Sequence, residues 1–250
     1  MIKVVVPISG GKDSQSCLKL ALQKYAAHEI LGLFCDTQFE HPKTYAHIDW
    51  MRKKYGVHIQ RITAGSVEDK ILKYKRFPGG GARHCTEELK LVPAKKFYKA
   101  LALSLGAGFE VWVGVRSEES RERKKRYLGK VCDELYAPHE IMRKFPQYLG
   151  KLGVMFRLAI LEWSETDVFE FLAGEENPLY ADGFDRVGCF PCLAGGDKAK
   201  TKAFIYDNFG REQHEKVIRI SAQIGQSVWK SKAGKAAARD DSPGCQFCSI

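Results

Sequence analysis

The stretch that decides the fold is Lys3–Ser14, KVVVPISGGKDS. Val4 to Ile8 is an apolar run of strand length. It passes directly into Ser9-Gly10-Gly11-Lys12-Asp13-Ser14, after which Cys17, Leu18, Leu20, Ala21 and Leu22 give an apolar helical face. A buried strand, a glycine-rich turn and a helix N-terminus make an anion site. Backbone N–H groups converge there, and the helix dipole adds positive potential. Gly10 and Gly11 allow tight backbone approach to an oxyanion. Lys12 adds a point charge, and Ser9 and Ser14 add hydroxyl donors. The spacing is neither GxxxxGK[ST] nor GxGxxG. The plain alternative is a strand-to-helix loop that binds nothing.

Downstream, Ile30–Cys35 (ILGLFC) reads as a second strand ending in Asp36-Thr37-Gln38-Phe39-Glu40-His41-Pro42. Ligands of open parallel sheets bind at the carboxyl ends of strands. Ser9–Ser14 and Asp36–His41 are therefore expected to face one crevice. Asp36 is a pocket candidate, with a cap or turn role as its alternative; His41 is a weaker one. Thr44–Tyr55 reads as a helix and Val57–Ile62 as a third strand. Phe77–Arg83 is a glycine-rich loop, either a lid or plain surface. A helix is expected from Pro93 onward. Glu110–Val115 (EVWVGV) is the next strand, and Arg116 just beyond it could reach a phosphate bidentately. Val154–Leu161 is strand-like, Ser164 is an N-cap candidate, and helices are expected over Lys198–Asn208 and Arg211–Ile224. The tail from Ser227 is expected to be poorly ordered up to Gly244.

The fold class that follows is α/β: an open, mostly parallel twisted sheet with helices on both faces, plus a C-terminal helical and cysteine-containing segment. Residues 1–175 are expected to form a nucleotide-binding α/β domain, with residues 176–250 packed on it. The 250 residues suffice for a full core. No apolar run approaches a membrane span, and the N-terminus enters the first strand directly, so no signal peptide and a cytoplasmic protein are expected. The formal net charge of +10 favours a polyanionic partner, most simply nucleic acid. A basic surface around a nucleotide site is the competing explanation. The run Arg121–Arg126 (RERKKR) is either a nucleic-acid backbone contact or a solvated turn. Eight cysteines without a secretion signal argue for metal or redox chemistry rather than a disulfide framework.

The string SGGKDS resembles the signature of the PP-loop ATP pyrophosphatases. That resemblance implies a loop that holds the β- and γ-phosphates of ATP and leaves the α-phosphorus open to attack, giving an adenylylated acceptor and pyrophosphate. The ordered set SGGKDS, the "DT" of Asp36-Thr37, HCTEELKLVP, GVRSEESRER, WSETDV, NPLY and GFDRVGCFPC is similar to the phosphoadenosine-phosphosulfate reductase-like branch of that superfamily. It runs from Ser9 to Cys192. The true reductases of the branch tend to lose the loop lysine and end in a Glu-Cys-Gly-(Ile/Leu)-His string. This chain keeps Lys12 and lacks that string. Both departures favour an ATP pyrophosphatase, most similar to the pyrophosphatase subunits of DNA phosphorothioation systems (Dnd and Ssp types), which act with a cysteine desulfurase. A sulfonucleotide reductase and a tRNA-thiolating enzyme are the alternatives.

The resemblance implies ATP and Mg²⁺ as ligands. Ser9, Gly10, Gly11, Lys12, Asp13, Ser14, Asp36, Gly114 and Arg116 are implied to line the nucleotide site. Lys12 and Arg116 would stabilise the leaving pyrophosphate, and Asp13 would help hold Mg²⁺. It implies no general base. DNA is the favoured acceptor, and a homo-oligomer is left open. Related reductases carry a Cys-Cys pair plus a CxxC as cluster ligands. Here Cys189 and Cys192 form the CxxC, but Cys85 follows His84 where the pair would stand. The expected set is a [4Fe-4S] cluster on Cys85, Cys189, Cys192 and one tail cysteine, Cys248 or Cys245. Zn²⁺ on the same thiolates, and a thiol pair without metal, are the other readings. Cys17, Cys35 and Cys132 are expected to be packing residues.

Overall fold

The computed structural model describes residues 1–79 and 83–229. Its frame is a five-stranded sheet in the order β3-β2-β1-β4-β5, with every pairing parallel. The strands are β1 (Val4–Ile8), β2 (Ile30–Asp36), β3 (His58–Thr63), β4 (Phe109–Trp112) and β5 (Val154–Arg157). β1 is central because both of its faces are apolar. Val4, Val6 and Ile8 pack with Cys17, Leu18, Ile48 and Met51 on one side. Val5 packs on the other side with Leu33, Tyr98, Val111 and Phe156. Alternation with two buried faces is what a parallel strand between helical layers requires.

The first half of the chain supplies α1 (Lys12–Lys24), α2 (Pro42–Tyr55) and α3 (Val67–Tyr74). Next come the short α4 (His84–Thr86), a π-helical segment Glu87–Leu91, and α5 (Val92–Leu105). The second half supplies α6 (Arg121–Arg126), the single turns α7 (Pro138–Ile141) and α8 (Tyr148–Lys151), α9 (Glu165–Leu172), α10 (Asp197–Tyr206) and α11 (Asn208–Ile224). No described helix is long and apolar enough to cross a membrane.

Three local expectations shift. The fourth strand stops at Trp112 rather than Val115. Val113 still donates to the Arg157 carbonyl at 2.9 Å, but Gly114 then lies against α1, where a β-carbon would come within 2.9 Å of the Asp13 backbone. Helical structure begins at His84, ahead of Pro93, and the π segment lies between α4 and α5. Pro93 sits in the first turn of α5, where its missing N–H costs nothing. The RERKKR run is a capped helix rather than a solvated turn. Ser120 accepts from the Arg123 N–H, and Arg123 is buried in an ion pair with Glu119.

The strand order places a topological switch point between β1 and β4. The chain leaves β1 toward β2 and β3, then returns on the far side to form β4 and β5. Crevices of open α/β sheets form outside the carboxyl ends of strands at such a point.

Candidate phosphate cleft and cysteine wall

The loop after β1 meets that requirement. Gly10 takes a left-handed φ of +77°, and a β-carbon there would lie 2.5 Å from Thr44 Cγ2. Only glycine fits both constraints. Gly11, with an extended backbone, is the N-cap of α1. The Gly11 N–H donates to Ser9 Oγ at 3.3 Å, and Ser14 Oγ donates to the Gly11 carbonyl at 2.9 Å. The two serine hydroxyls lie 3.2 Å apart. Asn177 closes the loop from below by donating to the Gly10 carbonyl at 3.1 Å.

Above the loop lies a cleft of about 400 Å³ lined by Ser9, Gly11, Lys12, Asp13, Arg116 and Tyr180, among others. Lys12 is almost fully buried. Its ammonium lies 2.9 Å from Glu165 and 4.7 Å from the centroid of the Tyr180 ring. The hydrogen bond from Lys12 holds the Glu165 carboxyl below its ordinary range. Arg116, also almost fully buried, donates from Nε to Asp13 at 2.7 Å and from Nη1 to Glu118 at 3.2 Å. Burial works against the Arg116 charge, but Asp13 more than offsets it and keeps the guanidinium ionised. The cleft therefore presents two fixed cations, each already oriented by carboxylates. An arrangement of this kind stabilises a multiply charged anion with little reorganisation.

Of the residues expected at the nucleotide site, Ser9, Gly11, Lys12, Asp13 and Arg116 line the cleft. Gly10, Ser14 and Gly114 shape it from behind, through the contacts above. Asp36 points elsewhere. It accepts from Tyr45 Oη at 2.7 Å and from Arg61 Nε at 3.0 Å, and it is not among the cleft-lining residues. His41 caps α2 by accepting from the Lys43 N–H at 3.0 Å and pairs with Asp207 at 2.9 Å. The crevice thus spans β1 and β4 rather than β1 and β2. Glu118, Glu119, Glu165, Tyr180 and Asp185–Val187 were not singled out from the sequence, although WSETDV, NPLY and GFDRVG carried the signal.

A second feature lies past the end of β2. Glu40 forms an antiparallel bridge with Cys189, and the Phe190 N–H donates to the Phe39 carbonyl at 2.6 Å. Cys189 and Cys85 both pack against the apolar cluster of Phe39, Ile71, Leu89 and Leu193. Cys189 Sγ lies 3.3 Å from Thr37 Oγ1. Burial pushes the Cys189 thiol well up, Glu40 adds to this, and the nearby Cys192 and Cys85 contribute in the same direction. Three of the expected ligands therefore share one wall. Among the described residues no group of three His, Cys, Asp or Glu side chains closes into a metal site. Cys245 and Cys248 lie outside the described residues. The donor type suits a cluster or zinc, while the described donor set is incomplete. Cys17 and Cys35 are buried in the core, as expected of packing residues, and Cys132 is half-buried.

The model of the phosphoadenosine phosphosulfate reductase domain matches residues 3–194. The chain belongs to that family. An uncharacterised protein of Methanocaldococcus jannaschii is 32% identical over 246 residues, covering 92% of this chain and 46% of its own. An adenosine 5'-phosphosulfate reductase of Burkholderia cepacia is 27% identical over 172 residues, covering 65% of this chain and 59% of its own. The chain spans less than two thirds of the length of the curated relatives it matches. Among solved structures, the phosphoadenylyl-sulfate reductase of Candida auris aligns with a TM-score of 0.47 at 18% identity, covering 76% of this chain and 82% of that one. The U34-tRNA thiolase NcsA of Methanococcus maripaludis, with its [4Fe-4S] cluster, aligns with a TM-score of 0.42 at 15% identity, covering 100% of this chain and 80% of that one.

Proposed function

We propose that this family member is an ATP pyrophosphatase that adenylylates an acceptor for sulfur insertion. The observation that carries the reading is Lys12, retained in the loop and held in the cleft beside Arg116. A reductase acting on an already activated sulfate nucleotide has no pyrophosphate to hold. The β- and γ-phosphates of ATP would lie over the loop amides. Lys12 and Arg116 would then face the charge that develops as the bond between the α-phosphorus and the bridging oxygen breaks. An acceptor oxygen attacks the α-phosphorus, its electron pair forms the new P–O bond, and pyrophosphate leaves with the old one. Side chains do little covalent work in such a transfer, and positioning with electrostatics dominates. The carboxylates of Asp13, Glu118 and Glu165 are hard oxygen donors that suit Mg²⁺, which when bound neutralises phosphate charge.

The basic charge and the RERKKR helix support a nucleic-acid acceptor, with the DNA backbone favoured. The terminal sulfur of a persulfide from a cysteine desulfurase could then displace AMP to form a P–S bond, and a second thiol would cleave the S–S bond, leaving the phosphorothioate and a disulfide. Cys85, Cys189 and Cys192, with one tail cysteine, would hold the [4Fe-4S] cluster and supply thiolate ligation. A cytoplasmic location and a two-part organisation at residue 175 belong to the same proposal. The second reading is a sulfonucleotide reductase, favoured by the family match and by the Burkholderia relative.

Anaerobic incubation with ATP and Mg²⁺, with and without DNA or RNA, separates the two. AMP with pyrophosphate, lost by about 100- to 1000-fold in Lys12→Ala, is the expected result. No ATP cleavage, together with thiol-dependent sulfite release from an activated sulfate nucleotide, would establish the reductase instead.

A further inference from the structure

Tyr180 occupies an unusual position for a residue 168 places from the loop. Its hydroxyl accepts the Lys12 backbone N–H at 3.0 Å. A phenol has one O–H to donate and two lone pairs to accept with. One lone pair takes the Lys12 amide, and the O–H itself remains to donate. Accepting from the Lys12 amide also polarises the O–H and strengthens it as a donor. The ring is fixed as well. The Lys12 ammonium sits 4.7 Å from its centroid, and Phe169 meets it edge-on at 5.6 Å. Tyr180 is the tyrosine among the described residues that line the cleft, next to Ser9, Lys12 and Arg116.

We propose that Tyr180 is a phosphate-binding residue whose O–H donates to the pyrophosphate half of ATP, while its ring holds the Lys12 ammonium in place. The assignment rests on the pyrophosphatase reading. It adds a neutral donor beside the two cations and makes the NPLY segment part of the phosphate site. A neutral donor suits a departing pyrophosphate. It binds the charge as it appears, yet holds the product less tightly than a third cation would.

The test is calorimetric titration of the full chain, wild type and Tyr180→Phe, with inorganic pyrophosphate, ATP, adenosine phosphosulfate and adenosine. The phenylalanine keeps the ring under Lys12 and removes only the hydroxyl. The expected result is pyrophosphate and ATP binding weaker by about 10- to 100-fold in Y180F, the range for a hydrogen bond to a charged group, with adenosine binding unchanged. Equal affinity of wild type and Y180F for pyrophosphate overturns the assignment. So does an equal loss for pyrophosphate and adenosine, which would mean that the hydroxyl only props the loop. If wild type binds adenosine phosphosulfate but neither pyrophosphate nor ATP, the pyrophosphatase reading fails on its own, and with it the pyrophosphate donor role. Should Y180F not fold, the wild type still decides. Saturation with pyrophosphate must perturb the ultraviolet spectrum of a tyrosine, and an unchanged spectrum overturns the assignment.

Discussion

The phosphate cleft and the cysteine wall both depend on what lies beyond the carboxyl ends of the strands, yet they are built differently. The cleft grows from one contiguous string whose shape is imposed locally by Gly10, Ser14 and the first turn of α1. Distant residues only complete it. The wall has no such nucleus. Cys85 arrives on a helix beyond α3, while Cys189 and Cys192 arrive on a loop before α10, and only the apolar cluster beneath brings them together. In the cleft Lys12 and Arg116 are each already paired with carboxylates. On the wall a buried thiol faces a buried carboxylate, Glu40, whose own pKa is raised chiefly by burial. The difference teaches that charge pairing can preorganise a site within the chain, whereas a set of soft ligands needs its metal, or the rest of its donors, to close.

The sharpest break in this comparison concerns metal content. After anaerobic purification, Cys85→Ser, Cys189→Ser and Cys192→Ser should each reduce bound iron to background, while Cys17→Ser, a core thiol, should leave it at the wild-type level. Iron near zero in the wild type, with no zinc in its place, would make the wall a packing feature. The next effect belongs to the cleft. Arg116→Ala should lower AMP formation by about 100- to 1000-fold. Arg116→Lys should recover little of it, because an ammonium cannot hold Asp13 and Glu118 through separate N–H groups in the same fork. Wild-type rates in both variants would show that the Asp13–Arg116 pair serves the fold alone.

Acid should loosen the two regions unequally. His47 on α2 hydrogen-bonds Gln15 on α1 at 2.9 Å, just beneath the phosphate loop. Burial lowers its pKa to about 4 from an ordinary 6.5. Between those values the unfolded chain binds the proton and the folded chain does not. Stability is therefore complete above about pH 6.5 and falls as pH drops toward about 4, by up to about 3 kcal/mol. Urea melts across that window should show the slope in wild type and lose most of it in His47→Gln. The smallest effect concerns the surface. Lys124 and Lys125 are exposed on α6. Replacing both by alanine should weaken nucleic-acid binding a few-fold and reduce its salt slope by about 2, measured by fluorescence anisotropy at several salt concentrations. An unchanged slope would remove α6 from the interface.

Much of the frame was legible because its signals are local. Val4–Ile8 and Ile30–Cys35 are read from apolar spacing alone, and the structure moves their bounds by no more than a residue, while the apolar face Cys17–Leu22 lies within α1. The loop was legible because its chemistry and its geometry occupy the same few residues. The opposite side of the cleft was not. Tyr180, Glu165 and Asp185 carry no periodicity that points at Lys12, and their roles emerge only when the switch point between β1 and β4 brings them over the loop. Asp36 shows the converse: its partners Tyr45 and Arg61, invisible to local pattern, engage it from α2 and β3. That RERKKR forms a helix was not legible for a related reason, since Glu119 four residues earlier pairs with Arg123 and draws it inward.

The π segment Glu87–Leu91 bears on how this family can vary. A π turn holds one residue more than the α-helix around it. Each residue of an α-helix advances the azimuth by about 100°. Removing one residue from that segment would restore a straight helix and leave α5 seated on the sheet, while swinging everything upstream, Cys85 included, by about that angle away from Cys189. A single-codon deletion here would thus turn Cys85 away from Cys189 without removing a thiol or touching the phosphate loop. The extra residue acts as a rotary index that sets which way the first cysteine faces.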